Sequence, residues 1–426
     1  MGSIRSFSKN LSETSESSRW FATDGDLQLN AIKEVDIQSK DKVQYEPYVA
    51  PEKGTLEYEV DSVITKTKLE KGYNEQGTGP LVDGMVYGKV YVFEAVTFKD
   101  GKAPTDFSTI KWAYSFDGEE GKVEGNFHGH KGKKMALSIE ALAVCGRNLT
   151  IYAYIKSKES GASITIWVHY RFRYFSREVV VREISERLKK NSLIDQNTTS
   201  LCGMAAIYYA FLKVAPADYQ KIALELHRKG EFTFNKYTIQ PNSSMYDMTP
   251  LLENEEYPGQ REYSNGKKME KPELMPQIDW IVMASTRSSE SGIGYSGKNS
   301  ETVSAINWGS VMEKLLKDLM GYSTIIDNTA ISKINNYPEV LKTMETEYNQ
   351  GYQIILLINA NMLAKKDSWM NFVNWHYIVF EGNLNIDAEK GECSFNYFSW
   401  GKLKEADIFS KSVFNSNFYG YYKIKK

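Results

Sequence analysis

The sequence predicts an all-β sandwich of immunoglobulin type followed by an α+β domain. Between residues 53 and 176, short β-branched and aromatic runs alternate with clusters of Gly, Asp, Asn and Lys. That spacing is typical of antiparallel strands joined by turns. After residue 176, helical patterns come first and strand patterns come last, which is the order of an α+β domain. Hydrophobic residues make up 42% of the 426 residues, enough for more than one core.

The first element is an N-terminal arm, residues 1–52. It is rich in Ser, Lys, Glu and Asp with few clustered apolar positions, which predicts a flexible segment. It lacks the apolar middle section of a secretory signal peptide. We therefore expect a protein made in the cytoplasm that would leave the cell only by a route without a cleaved signal. The three cysteines, Cys145, Cys202 and Cys393, are too few for a disulfide framework.

The second element, residues 53–176, is the predicted sandwich. Its strand candidates carry aromatic and β-branched side chains in short runs, bounded by turn residues. The runs are "MVYGKVYVFEAVTF", "TIKWAYSF", "MALSIEAL", "LTIYAYIKS" and "SITIWVHYRF".

The third element, residues 177–426, begins with helical patterns. "CGMAAIYYAFLKVA", which starts at Cys202, is apolar on more than one face and predicts a buried central helix. "PADYQKIALELHRKGE" has Pro at its start and Gly at its end, both typical of helix boundaries. Further helices are predicted in "MPQIDWIVMASTR", "NWGSVMEKLLKDLMGY" and "YPEVLKTMETEYNQG", and strands in "YQIILLINA", "HYIVFEGNL", "CSFNYFSWG" and "NFYGYYKIK".

Charge and hydropathy argue against several classes of partner. The 52 basic and 54 acidic residues give a net charge of −2, so we expect no nucleic-acid binding. The longest apolar run, "IILLINANML", is too short for a membrane span and is interrupted by Asn. No metal site is predicted, because His128 and His130 have no evident third ligand, and no cofactor is predicted.

Cys202 is the candidate nucleophile. It lies between the polar loop "DQNTTS" and the predicted helix, where unpaired N–H groups favour a thiolate. His376 opens the strand "HYIVFEGNL" in the same domain and is the candidate base. Gln196 lies six residues before Cys202 and offers a side-chain amide to a developing oxyanion.

These residues resemble the papain-like cysteine peptidase superfamily. The resemblance rests on Gln-x5-Cys-Gly at a helix start, a distant strand-opening His, and a strand that ends in Ser-Trp-Gly. The segments "NTTSLCGMAA", "DWIVMAST", "WHYIVFEG", "FSWG" and "YGYYKIK" are similar to papain-like domains of bacterial toxin effectors, which type VI or related secretion systems deliver. The resemblance covers roughly 180–426 and implies a papain-like fold there, with Cys202, His376 and Gln196 as catalytic residues.

The resemblance implies a secreted toxin effector with cysteine protease activity on a protein of the target cell. A peptidoglycan amidase or endopeptidase is the alternative, because cell-wall amidases reuse the same residues. A second alternative is a non-catalytic binding protein that docks a partner through the sandwich. A toxin also implies a cognate immunity protein, and delivery implies a carrier on the secretion apparatus.

The third catalytic residue is left open by the sequence. Phe398 stands where papain has its orienting Asn, and Phe accepts no hydrogen bond from imidazole. Strand alternation puts Asn396 on the face of Phe398 and Ser399 on the opposite face. A Cys–His dyad without a third side chain is favoured over Asn396, and both are favoured over Ser399.

Overall fold

The structure is a computed structural model that describes residues 58–74, 80–263, 265–291, 294–301, 309–330, 336–368 and 374–426. The predicted arm, residues 1–52, lies outside the described residues. Within them, the chain combines helices with antiparallel and mixed sheets, so the α+β character of the chain is confirmed.

In the described residues, nine strands precede the first α-helix and form two sheets. One sheet has the order β1-β4-β7 and the other has the order β2-β3-β9-β8-β5-β6. β3 pairs with β9 in parallel, and the other described pairs in these sheets are antiparallel. The strands are β1 Val60–Thr65, β2 Glu70–Gly72, β3 Val82–Val86, β4 Val90–Phe98, β5 Lys111–Gly118, β6 Gly121–Lys131, β7 Lys134–Ser138, β8 Arg147–Tyr154 and β9 Ala162–His169.

The two sheets share one hydrophobic core. Tyr91 and Phe93 of β4 pack in it with Trp112 of β5 and Ile151 of β8, and all four are almost completely buried. This core draws on residues 60–168, and the next core begins at Phe172. We call residues 58–169 the two-sheet region. Its immunoglobulin type and the domain boundary at residue 176 stay predictions.

Seven α-helices follow in the described residues. α1 begins after Ser176, whose hydroxyl caps it by accepting the N–H of Val179 at 3.4 Å. α3 begins at Pro216 and ends before Gly230, whose φ is +81°, so both boundary signals are confirmed. None of these helices has the length and apolarity needed to cross a membrane. The helices are α1 Arg177–Lys189, α2 Cys202–Val214, α3 Pro216–Lys229, α4 277–290 with a π-helical turn at Trp280–Ala284, α5 309–319 with a π-helical turn at Leu315–Leu319, α6 Glu339–Asn349 and α7 Lys411–Asn417.

The later strands form a seven-stranded antiparallel sheet and two hairpins. The sheet has the order β14-β20-β15-β16-β18-β17, with β19 paired to β18. The four strands predicted in this part of the sequence are β15, β16, β18 and β20. The strands are β10 Phe232–Phe234, β11 Tyr237–Ile239, β12 Gly259–Glu262, β13 Lys268–Leu274, β14 Thr324–Asp327, β15 Gln353–Asn359, β16 Trp375–Phe380, β17 Asn385–Asp387, β18 Glu392–Ser399, β19 Lys402–Ser410 and β20 Phe418–Lys425.

Helices cover both faces of the seven-stranded sheet. Tyr377, Val379 and Phe398 face the core that contains α2, while Ile378 and Phe380 face the core that contains α6 and α7. These sets alternate along β16, as the period of two in a strand requires. Tyr209 of α2 stacks on Phe398 with ring centroids 3.9 Å apart, which fixes the helix against β18.

Candidate active site

Cys202 is the first residue of α2 and is partly buried, whereas Cys145 and Cys393 are fully buried. Burial raises the pKa of the Cys202 thiol, although the backbone N–H groups of Tyr377 and Gly203 act in the opposite direction. The helix start predicted from the sequence is therefore confirmed. In this structure, however, desolvation outweighs the helix N-terminus, and the group is a thiol rather than a thiolate at neutral pH.

Gln196 lies in the loop before α2 and is 4% exposed. Its side-chain Nε2 donates to the carbonyl oxygen of Thr199 at 2.8 Å, and the Thr199 hydroxyl donates back to the Gln196 carbonyl at 2.6 Å. Gln196, the residue predicted to donate to the oxyanion, therefore closes the loop by bonding to Thr199. The Gln196 amide has two N–H groups, and this bond uses one of them.

A buried ion pair, which the sequence analysis missed, holds this loop in place. Arg187 of α1 donates to both carboxylate oxygens of Asp279 in α4, at 2.7 and 2.5 Å. The same carboxylate accepts the backbone N–H of Asp195 at 2.8 Å. Burial opposes the charge on Arg187, but the carboxylate of Asp279 outweighs it and raises the pKa of the guanidinium. The available signal was the single Asp inside the apolar run "QIDWIVMAS".

His376 is the second residue of β16 and is 3% exposed. Burial lowers the pKa of its imidazole to about 3, so the ring is neutral at neutral pH. Its Nε2 lies 2.7 Å from Oγ of Ser399, and its ring stacks on Trp400 with centroids 4.2 Å apart. Trp400 itself is 41% exposed and separates one face of the imidazole from solvent.

Ser399 is therefore the side chain that lies within hydrogen-bond distance of the imidazole, although the sequence favoured a dyad, and then Asn396, over it. Asn396 is bonded elsewhere, because its Oδ1 accepts the backbone N–H of Ala406 at 2.7 Å. Strand alternation had the faces of β18 right. The sequence favoured the face of Phe398 for an orienting side chain, whereas His376 alternates with Tyr377 and contacts Ser399 on the opposite face.

The thiol and the imidazole approach β16 from different directions. Cys202 lies beside the backbone N–H of Tyr377, the residue that follows His376. The helix of Cys202 packs on the face of Tyr377, whereas the ring of His376 faces Ser399. Among the described residues, no hydrogen bond joins Cys202 to His376. Cys202 therefore lies next to the backbone of β16 beside His376, but its thiol is not paired with the imidazole.

A tight turn joins the His376 cluster to the Gln196 loop. Trp400 and Gly401 have φ of +45° and +66°, and Ser399 pairs with Lys402, so the two residues form the hairpin turn between β18 and β19. Gly401 lies against Asp195, since a Cβ placed on it would be 3.0 Å from the Cβ of Asp195. The turn therefore touches the residue that precedes Gln196.

The part of the chain that the structure describes contains no group of three or more His, Cys, Asp or Glu side chains able to hold a metal ion. The reactive groups that the described residues place at this site are the thiol, the imidazole, the hydroxyl of Ser399 and backbone or amide N–H groups. Comparison of the chain with models of known protein families, with curated proteins and with solved structures finds no match.

Proposed function

We propose that the chain is a papain-like cysteine hydrolase that acts as a secreted toxin effector and cleaves amide bonds in a protein of the target cell. The observation that carries the proposal is the convergence of Cys202, at the start of a buried helix, on the strand that holds His376. Ser399 and Trp400 support that imidazole by a 2.7 Å hydrogen bond and a ring stack.

The proposed reaction starts from a neutral thiol and a neutral imidazole. With Nε2–H donating to Ser399, Nδ1 of His376 carries the lone pair that accepts the thiol proton as Sγ attacks the carbonyl carbon. The oxyanion would be stabilised by the backbone N–H of Cys202 and the second N–H of Gln196. Collapse of the intermediate returns the proton to the leaving amine and leaves a thioester, which water then hydrolyses. The reaction requires the imidazole to reach the thiol when substrate binds.

A second candidate is a non-catalytic binding protein built on the same architecture. The raised pKa of the Cys202 thiol, the missing bond to His376 and the engaged amide of Gln196 favour it. In that case the residues around Cys202 would serve packing, and partner binding would fall to other surfaces.

Expression in bacteria, in the cytoplasm and separately exported to the periplasm, tests the proposal. We expect wild type to arrest growth, and Cys202→Ala and His376→Ala to be harmless at equal protein levels. Cys393→Ala is the matched control, because Cys393 is a buried thiol of the same sheet and should leave toxicity intact.

The compartment separates the substrates. Arrest from the cytoplasm supports a protein substrate, whereas lysis only from the periplasm supports a peptidoglycan amide. Full toxicity of a folded Cys202→Ala protein would favour the non-catalytic candidate. The same holds if wild type is not toxic and Cys202→Ala captures a partner as strongly as wild type does.

A further inference from the structure

A cavity of about 210 Å³ lies where the two-sheet region meets α1, away from Cys202 and His376. It is lined by side chains from the end of β9, the loop before β8 and the start of α1. They include Arg147, His169, Tyr170, Arg173 and Arg177.

The cavity has a positive lining. Arg147, Arg173 and Arg177 line it, and no Asp or Glu is among the described residues that do. His169 adds no charge at neutral pH, because burial lowers the pKa of its ring to about 4. Three guanidinium groups around one cavity repel one another, and an anion bound among them would offset that repulsion.

Two of the three arginines are already committed. Arg173 is 8% exposed and donates to the carbonyls of Lys71 and Tyr246 and to the carboxylate of Asp247. Arg147 donates to the carbonyl of Asp117 at 2.8 Å. Its nearest carboxylate, Glu119, lies 3.6 Å away on a side chain that is 90% exposed, so the ion pair is weak.

Arg177 is the exception. No hydrogen bond or ion pair holds its guanidinium in the described residues, and its Nη1 is buried without a partner. It lies over the ring of Tyr170 at 5.5 Å, and burial lowers its pKa. The closest acidic neighbour, Glu225, is already shared by Arg228 and Lys229, at 3.3 and 2.6 Å. A buried donor of this kind normally has a bound partner.

We propose that this cavity is a binding site for a small oxyanion, a phosphate or carboxylate group, held by Arg177 and Arg147. The planar fork of arginine matches both groups. A cavity of about 210 Å³ has room for inorganic phosphate or a small polycarboxylate. The site is independent of the proposed hydrolase activity.

Calorimetric titration of the full chain with inorganic phosphate and with citrate, in chloride-free buffer, tests the proposal. We expect saturable binding of at least one of them at one site per chain. Arg177→Gln and Arg147→Gln should each weaken it by about tenfold to a hundredfold, since each removes a charged hydrogen bond. Arg182→Gln is the matched control on the same helix, where Arg182 is 58% exposed and outside the cavity.

Circular dichroism of each variant separates loss of binding from loss of fold, and a bound anion should also raise the thermal midpoint of wild type. The proposal is overturned if neither anion binds saturably to the folded chain. It is also overturned if Arg182→Gln weakens binding as much as Arg177→Gln, because the effect would then be general surface charge.

Discussion

Ser399 is 4% exposed and contacts His376 through its hydroxyl, so the bond between them is shielded from water. Removing the hydroxyl leaves Nε2 buried and unpaired, at a cost of about 1–3 kcal/mol. If the proposed reaction is right, Ser399→Ala should lower kcat by about tenfold to a hundredfold. Asn396→Ala should retain full activity, because Asn396 bonds to Ala406 and not to the imidazole. A larger loss of kcat in Asn396→Ala than in Ser399→Ala would contradict the geometry.

Cys202 should be alkylated by iodoacetamide before the other two thiols. Cys202 is partly exposed as a residue although its sulfur is desolvated, whereas Cys145 and Cys393 are fully buried and burial raises the pKa of each to about 12. Because burial also raises the pKa of Cys202, its labelling rate should climb steeply through alkaline pH. The same profile in His376→Ala would agree with the absence of a thiol–imidazole bond. If wild type is labelled fast at pH 6 and His376→Ala is not, Cys202 and His376 form a thiolate–imidazolium pair in solution.

Residue patterns placed Cys202 at a helix start and His376 near a strand start, because helix and strand boundaries have local signals. The partner of His376 has no such signal. It depends on which face of β16 the imidazole takes, and that is decided by the packing of α2 against Tyr377 and Phe398. The resemblance to papain pointed to the face of Phe398, whereas the imidazole is hydrogen-bonded on the face of Ser399.

At the scale of elements, the Arg187–Asp279 pair connects α1, α4 and the loop of Gln196. Asp279→Asn would leave a guanidinium that is almost fully buried without its counter-charge. We expect it to lower the free energy of unfolding by about 3–5 kcal/mol, measured by urea denaturation. Glu186→Gln, which breaks the exposed Arg182–Glu186 pair on the same helix, should change it by less than about 1 kcal/mol. Equal effects would mean that the buried pair does not anchor these elements.

Two strands that the sequence missed have mostly exposed side chains. β6 and β19 carry mostly exposed residues, so neither shows the apolar alternation that identifies a half-buried strand. β19 forms because the turn at Trp400 and Gly401 brings it back onto β18. By contrast, α2 and β15 are apolar enough to be recognised without knowing their neighbours.

At the scale of the whole molecule, three neutral buried histidines make the fold sensitive to acid. Burial lowers the pKa of His169 to about 4 and those of His227 and His376 to about 3. These histidines bind protons near pH 6.5 in the unfolded chain and only at lower pH in the folded chain. The stability that the neutral rings contribute is therefore complete above pH 6.5 and is lost as pH falls. Between pH 7 and pH 5, the protonation of each histidine in the unfolded chain should lower the free energy of unfolding by roughly 2 kcal/mol.

His227→Gln isolates this effect. The glutamine amide can still donate to the carbonyl of Phe175, which His227 contacts at 2.9 Å, but it does not titrate. Urea denaturation at pH 7 and pH 5 should show a smaller loss of stability in this variant than in wild type. His128→Gln, at an exposed position, should behave as wild type. An unchanged pH dependence in His227→Gln would mean that His227 is already protonated or solvated in the folded chain.

The boundary between the two cores can be tested with fragments. A fragment of residues 177–426 starts at the predicted domain boundary, yet Phe172 and Phe175, both buried in the core of the α+β part, lie before it. Phe175 stacks on Trp280 of α4 with centroids 5.0 Å apart, and Phe172 meets the same indole edge to face. Ser176, which caps α1, would be lost as well.

Losing one such phenylalanine costs about 3–5 kcal/mol, and losing both is comparable with the whole stability of a typical domain, about 5–15 kcal/mol. We therefore expect residues 170–426 to unfold cooperatively in urea and residues 177–426 to lack a cooperative transition. Phe172→Ala and Phe175→Ala in the longer fragment should each lower its urea midpoint. That result would attribute the difference in stability between the two fragments to these side chains rather than to chain length. Equal midpoints for the two fragments would place the boundary at residue 176, as the sequence predicts, and would make the segment before α1 part of the two-sheet region.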